Sequence, residues 1–109
     1  MTKNEELKKL FYVEKSTIHG KGLFARIEIK EGTYLGTYHG PVVDENGMHV
    51  LWVEHEEGVW QGRDGKNMLR YLNHSDAPCA EFDGFELYAI ADIKPDQEVT
   101  FDYGEDPAA

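Results

Sequence analysis

Apolar and polar positions alternate in short runs along this chain, and turn-forming residues separate the runs roughly every 8 to 12 residues. Alternation with a period of two is typical of half-buried strands. The pattern therefore predicts a mostly β fold, with strands at Phe11–Lys15, Leu23–Ile29, Tyr34–Tyr38, Val50–Val53, Glu86–Ala91 and Glu98–Tyr103.

Two tight turns and a short helix complete the predicted elements. Asn-Gly is a preferred pair of residues in a two-residue hairpin turn, and Asn46-Gly47 lies just before Val50–Val53. The segment Phe82–Phe85 (FDGF) predicts a second hairpin, because Asp and Gly tolerate the backbone angles of a tight turn. Thr2–Leu10 has helical character near the terminus.

The chain contains one internal echo. Ala25–Leu35 (ARIEIKEGTYL) and Ala89–Val99 (AIADIKPDQEV) each place an Ile-Lys turn between two strands. Repeat arrays need about three units, so two copies do not indicate a solenoid. We interpret the echo as two similar strand–turn–strand corners inside a single domain that spans residues 1–109.

Length and composition predict an intracellular protein. The 109 residues are 40% hydrophobic, which is enough for one modest core. No apolar run approaches the ~20 residues of a membrane span, and the charged N-terminus does not resemble a secretory signal. The single cysteine, Cys79, excludes an internal disulfide and a multi-cysteine zinc site. The histidines lack metal-binding spacing, so we expect no metal. Because no apolar run is long enough to span a membrane, we expect no membrane contact either.

Charge narrows the class of partner. The 21 acidic residues outnumber the 11 basic ones, for a formal net charge of −10. A negative field opposes direct nucleic-acid binding and favours a basic protein or peptide. Acidity that serves solubility alone is the competing interpretation.

Two polar segments have the chemistry of a binding site. Gly20-Lys21-Gly22 allows a sharp turn or a close approach to a ligand, although it lacks the third glycine of a dinucleotide site. Asn73-His74-Ser75 is dense in hydrogen-bond donors and acceptors. Ordinary turns and caps are the alternative for both segments. No nucleophile elbow surrounds Ser75, which disfavours a serine hydrolase.

Aromatic residues form a third cluster. Phe101 and Tyr103 face the same side of the predicted last strand. Tyr38 ends another strand before His39-Gly40. Core packing accounts for such residues equally well, except that a buried tyrosine hydroxyl needs a partner.

The order of these segments resembles that of SET domains. Gly20–Phe24 resembles the opening G-x-G-L-F, Tyr38–Val43 the Y-x-G-E-[VI]-[VI] segment, and Asn67–Ser75 the G-N-x-x-R-[FY]-x-N-H-S stretch. Glu98–Gly104 resembles the closing E-[LV]-[TF]-x-[DN]-Y-G. The resemblance covers about residues 12–104. It implies a SET (β-clip) fold of short strands in several small sheets with a C-terminal pseudoknot.

The resemblance also implies a function. The family transfers methyl groups from S-adenosylmethionine to protein lysines, so we expect a lysine methyltransferase acting on a basic, histone-like protein, in the cytoplasm or on chromatin. By likeness, the cofactor contacts are Lys21, Gly22, Leu23, Arg70, Asn73, His74 and Tyr103. Tyr103 and Tyr38 match catalytic positions, and Phe101 with Tyr38 matches the substrate channel.

The sequence departs from the family pattern at three places. Pro41 replaces the glutamate of Y-x-G-E, and Cys79 stands where Asn usually follows the proline. No cysteine-rich post-SET segment follows Gly104, so we expect a homodimer partner or the substrate to complete the site. A non-catalytic SET-like module that binds basic peptides is the alternative function.

Overall fold

The computed structural model describes residues 4–47 and 49–102 of the chain. Strands dominate these residues and helix is scarce, as the alternation predicted. In chain order the elements are α1 (Asn4–Leu10), β1 (Phe11–Lys15), β2 (Lys21–Ala25), β3 (Tyr34–Thr37), β4 (Val42–Val43), β5 (Val50–Glu56), β6 (Val59–Asp64), a 3-10 turn (Met68–Tyr71), β7 (Asn73–His74), β8 (Ala80–Asp83), β9 (Glu86–Ala89) and β10 (Glu98–Phe101).

Within the described ranges, seven strands form the larger sheet. Its order is β1-β2-β10-β8-β9-β3, and β7 pairs with β10 as a branch. β10 runs antiparallel to β2 but parallel to β7 and β8. The last described strand is thus inserted between an N-terminal strand and a central segment, which is the arrangement that the expected pseudoknot requires.

The core is built from the inward positions of this sheet. Leu23 in β2, Leu87 in β9 and Val99 in β10 are fully buried, and Leu7 of α1 joins the same cluster. Burying an aliphatic side chain contributes about 1.5–3 kcal/mol. This cluster therefore fixes the position of β10, next to which the candidate site lies.

The second predicted strand ends earlier than the sequence suggested. β2 stops at Ala25, because Phe11↔Ala25 is the last pair that β1 offers it. The amide of Arg26 then donates to the carbonyl of Leu10 at 2.6 Å, and Ile29 pairs elsewhere. The prediction of a strand through Ile29 is therefore wrong beyond Ala25.

The three-stranded sheet has the order β4-β6-β5. One hairpin predicted in this region is wrong, and one of its strands was not predicted. β4 pairs with β6 and not with β5, so Asn46-Gly47 joins two outer strands and is not the turn of a hairpin. The hairpin joins β5 to β6 and turns at Gly58, where φ is +80°. Gly62 at the centre of β6 interrupts the apolar alternation, which explains why that strand was not predicted.

The Phe82–Phe85 hairpin is confirmed. β8 and β9 pair antiparallel, and Gly84 in the turn has a φ of +62° that favours glycine. No helix in residues 4–47 and 49–102 is long and apolar enough to cross a membrane.

Candidate active site

Three of the segments that the sequence singled out meet at β10. Val99 pairs with Leu23 of β2, Thr100 with Asn73 of β7, and Phe101 pairs with His74. The buried side chains of Leu23 and Val99 hold the first contact together. The parallel pairing with β7 brings residues distant in sequence onto adjacent strands.

The side chain of Asn73 ties two of these segments to each other. Asn73 is buried, and its Nδ2 lies within hydrogen-bond distance of the carbonyls of His19 (3.1 Å) and Lys21 (3.2 Å). The same nitrogen donates to Oε2 of Glu98 at 2.8 Å. With Nδ2 engaged by the protein, the amide has a fixed orientation, and the segment before β2 is held against β7.

The carboxylate of Glu98 is the centre of this polar network. It accepts hydrogen bonds from Ser16 Oγ at 2.8 and 2.9 Å as well as from Asn73. The Ser16 hydroxyl in turn accepts the amide of Ile18 at 2.9 Å. A Cβ at Gly22 would clash with Glu98 Oε2 and push the carboxylate away from Ser16 and Asn73. Sequence reasoning missed Ser16 and gave Glu98 no role of its own.

The two predicted cationic contacts differ in their surroundings. Lys21 is exposed at the start of β2. Arg70 instead donates to the carbonyls of Lys66 (2.7 Å) and Asn67 (3.0 Å), and its guanidinium stacks 4.5 Å from the centre of the Tyr71 ring. These bonds stabilise the 3-10 turn before β7. A direct cofactor contact by Arg70 stays a prediction.

The imidazole of His74 lies between two carboxylates. Its Nε2 is 3.0 Å from Asp76 and its Nδ1 is 3.7 Å from Asp102. The backbone beside it is held by β10, because the amide of Ser75 donates to the carbonyl of Phe101 at 3.1 Å. The sequence predicted that the backbone of His74 contacts the cofactor. The imidazole ring of His74 contacts Asp76 and Asp102 of the protein itself.

An aromatic row links the two predicted channel residues. Phe82 contacts Phe101 edge-on, with ring centres 5.0 Å apart, and Tyr38 edge-on at 5.8 Å. Tyr38 is buried behind Phe82, and its hydroxyl donates to the carbonyl of His49. Phe82 was not predicted. Its only sequence signal was its place in the hairpin FDGF.

Phe101 faces a cavity of about 400 Å³ between β5 and the β8–β9 hairpin. Polar and apolar atoms contribute about equally to its wall, and Glu81 and Asp102 add carboxylates. Tyr38 does not line this cavity. The residues that line the cavity include Leu51, Trp52, Val53, Pro78, Phe82 and Ile90.

Tyr103, the predicted catalytic tyrosine, lies outside the described residues, although its neighbour Asp102 lies on the wall of this cavity. Across residues 4–47 and 49–102, no three His, Cys, Asp or Glu side chains come together as they would around a metal ion.

Comparison with known proteins follows the same segments. The SET-domain family model matches residues 20–104. The mouse (Mus musculus) and human (Homo sapiens) proteins named histone-lysine N-methyltransferase, H3 lysine-36 specific, are each 26% identical to this chain over 107 residues. Those matches cover 77% of this chain and 4% of the relatives, so the chain spans a small part of their length.

Two solved structures share the fold. The methyltransferase domain of human histone-lysine N-methyltransferase SETMAR superposes with a TM-score of 0.70 at 25% identity, over 85% of this chain and 44% of that one. KRYPTONITE, crystallised with mCHG DNA and SAH, gives a TM-score of 0.73 at 22% identity, over 89% of this chain and 24% of that one. With a family match that covers most of its length, the chain belongs to the SET-domain family.

Proposed function

We propose that this protein is a protein-lysine N-methyltransferase that uses S-adenosylmethionine to methylate a basic, histone-like protein. The observation that carries the proposal is the pairing of β10 with both β2 and β7, since it puts the segments that match the family's cofactor motifs on adjacent strands. The names of the relatives point to the same activity.

The residues at this junction fit a nucleoside that carries an amino acid. Asn73 binds the carbonyls of His19 and Lys21, so the exposed segment before β2 lies directly against the strand of His74. We assign the amino acid part to Asn73 and the backbone of Lys21, Gly22 and Leu23, and the adenine to the backbone of His74. The bound SAH of KRYPTONITE supports this class of ligand.

When bound, S-adenosylmethionine supplies an electrophilic methyl group on a positively charged sulfur. The chain must then deliver a neutral lysine, whose pKa is about 10.4 in water. Contact with the rings of Phe82 and Phe101 desolvates the ammonium form of the lysine, which favours loss of its proton to water. The carboxylates of Glu81 and Asp102 attract the cation to the cavity. Both residues are exposed, so solvent weakens the opposing effect of their charge on the lysine pKa.

The aromatic residues then align the amine. Cation–π attraction of roughly 0.5–2 kcal/mol per ring stabilises the positively charged methylated product. Tyr103 follows directly after Asp102, and we assign its hydroxyl the role of orienting the amine toward the methyl group. Holding the two reacting atoms in line lowers the barrier by making the step effectively unimolecular.

The test is mass spectrometry of histones and a panel of other basic proteins after incubation with isotopically labelled S-adenosylmethionine. We expect lysine-specific mass gains of one or more methyl groups, and loss of the gain in Tyr103→Phe. Tyr34→Phe, which removes an exposed tyrosine hydroxyl, is the matched control and should leave the mass gain unchanged. Binding of SAH without any transfer would favour the non-catalytic peptide-binding module, and absence of both would reject the proposal.

A further inference from the structure

A wide groove lies on the outer face of the three-stranded sheet, with a volume of about 1150 Å³. Leu51 of β5 packs against the core, so its neighbours Val50 and Trp52 point to the other side of the sheet. The segment Asp44–Gly47 borders the groove. Of the residues that line the groove, Trp52 also borders the cavity of Phe101.

Two tryptophans and several valines provide the apolar surface of this groove. Trp52 pairs across the strands with Gly62, and a Cβ there would lie 3.0 Å from the indole, so the ring covers the glycine. The Nε1 of Trp52 donates to Asn46 Oδ1 at 3.1 Å, which fixes the ring. Trp60, which is 42% exposed, stands opposite Glu54 on the same face. Of the aromatic side chains, the indole of tryptophan is the best partner for a cation.

The charges around the groove determine whether a positively or a negatively charged partner is attracted to it. Asp44 and Glu45 are exposed on the rim, and no lysine or arginine among the described residues forms an ion pair with either. Asp64 and Lys66 pair with each other at 3.1 Å and nearly cancel. Two copies of this face would repel each other, in a chain of net charge −10. A cationic partner is attracted to it.

We propose that this groove is a second docking surface, which binds an arginine- or lysine-rich segment of a polypeptide. Its cationic groups stack on Trp52 and Trp60 and are attracted by the carboxylates of Asp44 and Glu45. The groove lies across β5 from the cavity of Phe101, so one basic chain can occupy both sites. Identifying that chain with the substrate rests on the proposed function, whereas binding to the groove does not.

The probe is a fluorescently labelled arginine octamer, which contains no lysine to be methylated. Its affinity for the full chain is measured by fluorescence anisotropy at low and moderate salt. We expect Trp60→Ala to weaken binding roughly fivefold or more. The double variant Asp44→Asn/Glu45→Gln is expected to weaken binding and to reduce its dependence on salt.

Two control variants match the test variants elsewhere on the surface. Tyr34→Ala removes a 44% exposed aromatic residue, and Glu5→Gln/Glu6→Gln removes two exposed carboxylates of α1. Both are expected to bind the octamer within about twofold of the wild type. An equal loss in the second control would mean diffuse attraction by net charge, which overturns the proposal.

Measurements of oligomeric state and of lysine methylation distinguish the groove from a dimer interface and from the catalytic site. Sedimentation velocity that shows a dimer dissociated by Trp60→Ala would make the groove an interface between copies, and would overturn the proposal. Octamer binding that persists without any lysine methylation would contradict the proposed function and leave the groove supported. Methylation without octamer binding would contradict the groove alone.

Discussion

Ile29 and Ile93 are joined by a reciprocal pair of backbone hydrogen bonds, in which each amide donates to the carbonyl of the other at 2.8 Å. Both side chains are buried. Three residues beyond each isoleucine, Gly32 and Asp96 have positive φ angles of 88° and 66°. The two corners of the internal echo therefore face each other around a local two-fold relationship.

The hydrogen bonds around this pair repeat in the same way. The amide of Ala25 donates to the carbonyl of Gln97, and the amide of Ala89 donates to that of Thr33, both at 2.9 Å. One corner leads into β3 and the other into β10. The contact thus fixes the direction in which β10 enters the sheet beside the candidate site.

We expect Ile93→Ala to lower the free energy of unfolding by about 2–5 kcal/mol, because it leaves a cavity where both corners meet. Urea unfolding followed by circular dichroism measures the change. The control is Ile27→Ala, since Ile27 is 47% exposed and its loss should cost within about 0.5 kcal/mol. Equal effects of the two substitutions would contradict the central role of the Ile29–Ile93 contact.

Gly65→Ala is expected to displace Tyr38. A Cβ at this position would clash with the Tyr38 hydroxyl, which donates to the carbonyl of His49. Overpacking of this kind costs about 1–3 kcal/mol. Gly47→Ala is the matched control, because its Cβ would make an ordinary contact at 3.4 Å with Val50. Thermal unfolding should show the loss in Gly65→Ala alone, and its absence would refute the tight packing of Tyr38.

Stability should depend on pH through His39. Burial disfavours its charged form and the nearby Arg63 repels it, so the pKa of His39 in the folded protein lies below its ordinary value of 6.5. Below pH 6.5 the unfolded chain takes up a proton that folded His39 resists. This contribution to stability is therefore present above pH 6.5 and is lost as the pH falls from that value through the lower pKa of the folded state.

Urea midpoints at pH 7.5 and pH 5.5 test this dependence. His39→Gln should show a smaller decrease at the lower pH than the wild type, because it cannot titrate. His19 is exposed, so His19→Gln is the control. Its urea midpoint should fall between pH 7.5 and pH 5.5 by as much as that of the wild type. A decrease of the same size in His39→Gln would assign the effect to other groups.

Glu98→Ala should loosen the segment before β2. Ser16 and Asn73 both donate to its carboxylate, and losing a shared partner of buried donors costs about 1–3 kcal/mol. We also expect weaker binding of SAH in isothermal titration, because Asn73 loses its fixed orientation. The exposed Glu14→Ala is the control. Unchanged affinity in Glu98→Ala would separate this network from the cofactor site.

Phe101→Tyr should lower the number of methyl groups added to each lysine. Phe101 lines the cavity beside Phe82, and an added hydroxyl occupies space and offers a hydrogen bond to the amine. The distribution of mono-, di- and trimethylated product, measured by mass spectrometry, tests this. Tyr34→Phe, which removes an exposed hydroxyl outside the cavity, should leave the distribution unchanged, and an unchanged distribution in Phe101→Tyr would exclude control by size at this position.

Local patterns were sufficient for several elements. β1 was predicted with its observed bounds, because Phe11, Tyr12 and Val13 are residue types that favour strands. The hairpin at Gly84 was predicted because its residue types match its backbone angles. Asn46-Gly47 has an equally strong local signal, yet the strands on either side of it pair with β6 and not with each other. Pairing across a sheet depends on a third strand that such a signal does not contain.

The sequence by itself determined the mostly β character, the family, and which segments carry the candidate chemistry, because alternation and motif order are properties of neighbouring residues. Only the tertiary structure decided that Glu98 joins Ser16 to Asn73, that Phe82 stands between Tyr38 and Phe101, and that Ile29 meets Ile93. These contacts join residues that are far apart in sequence. They exist because the burial of apolar residues such as Leu23 and Val99 places β10 between distant strands.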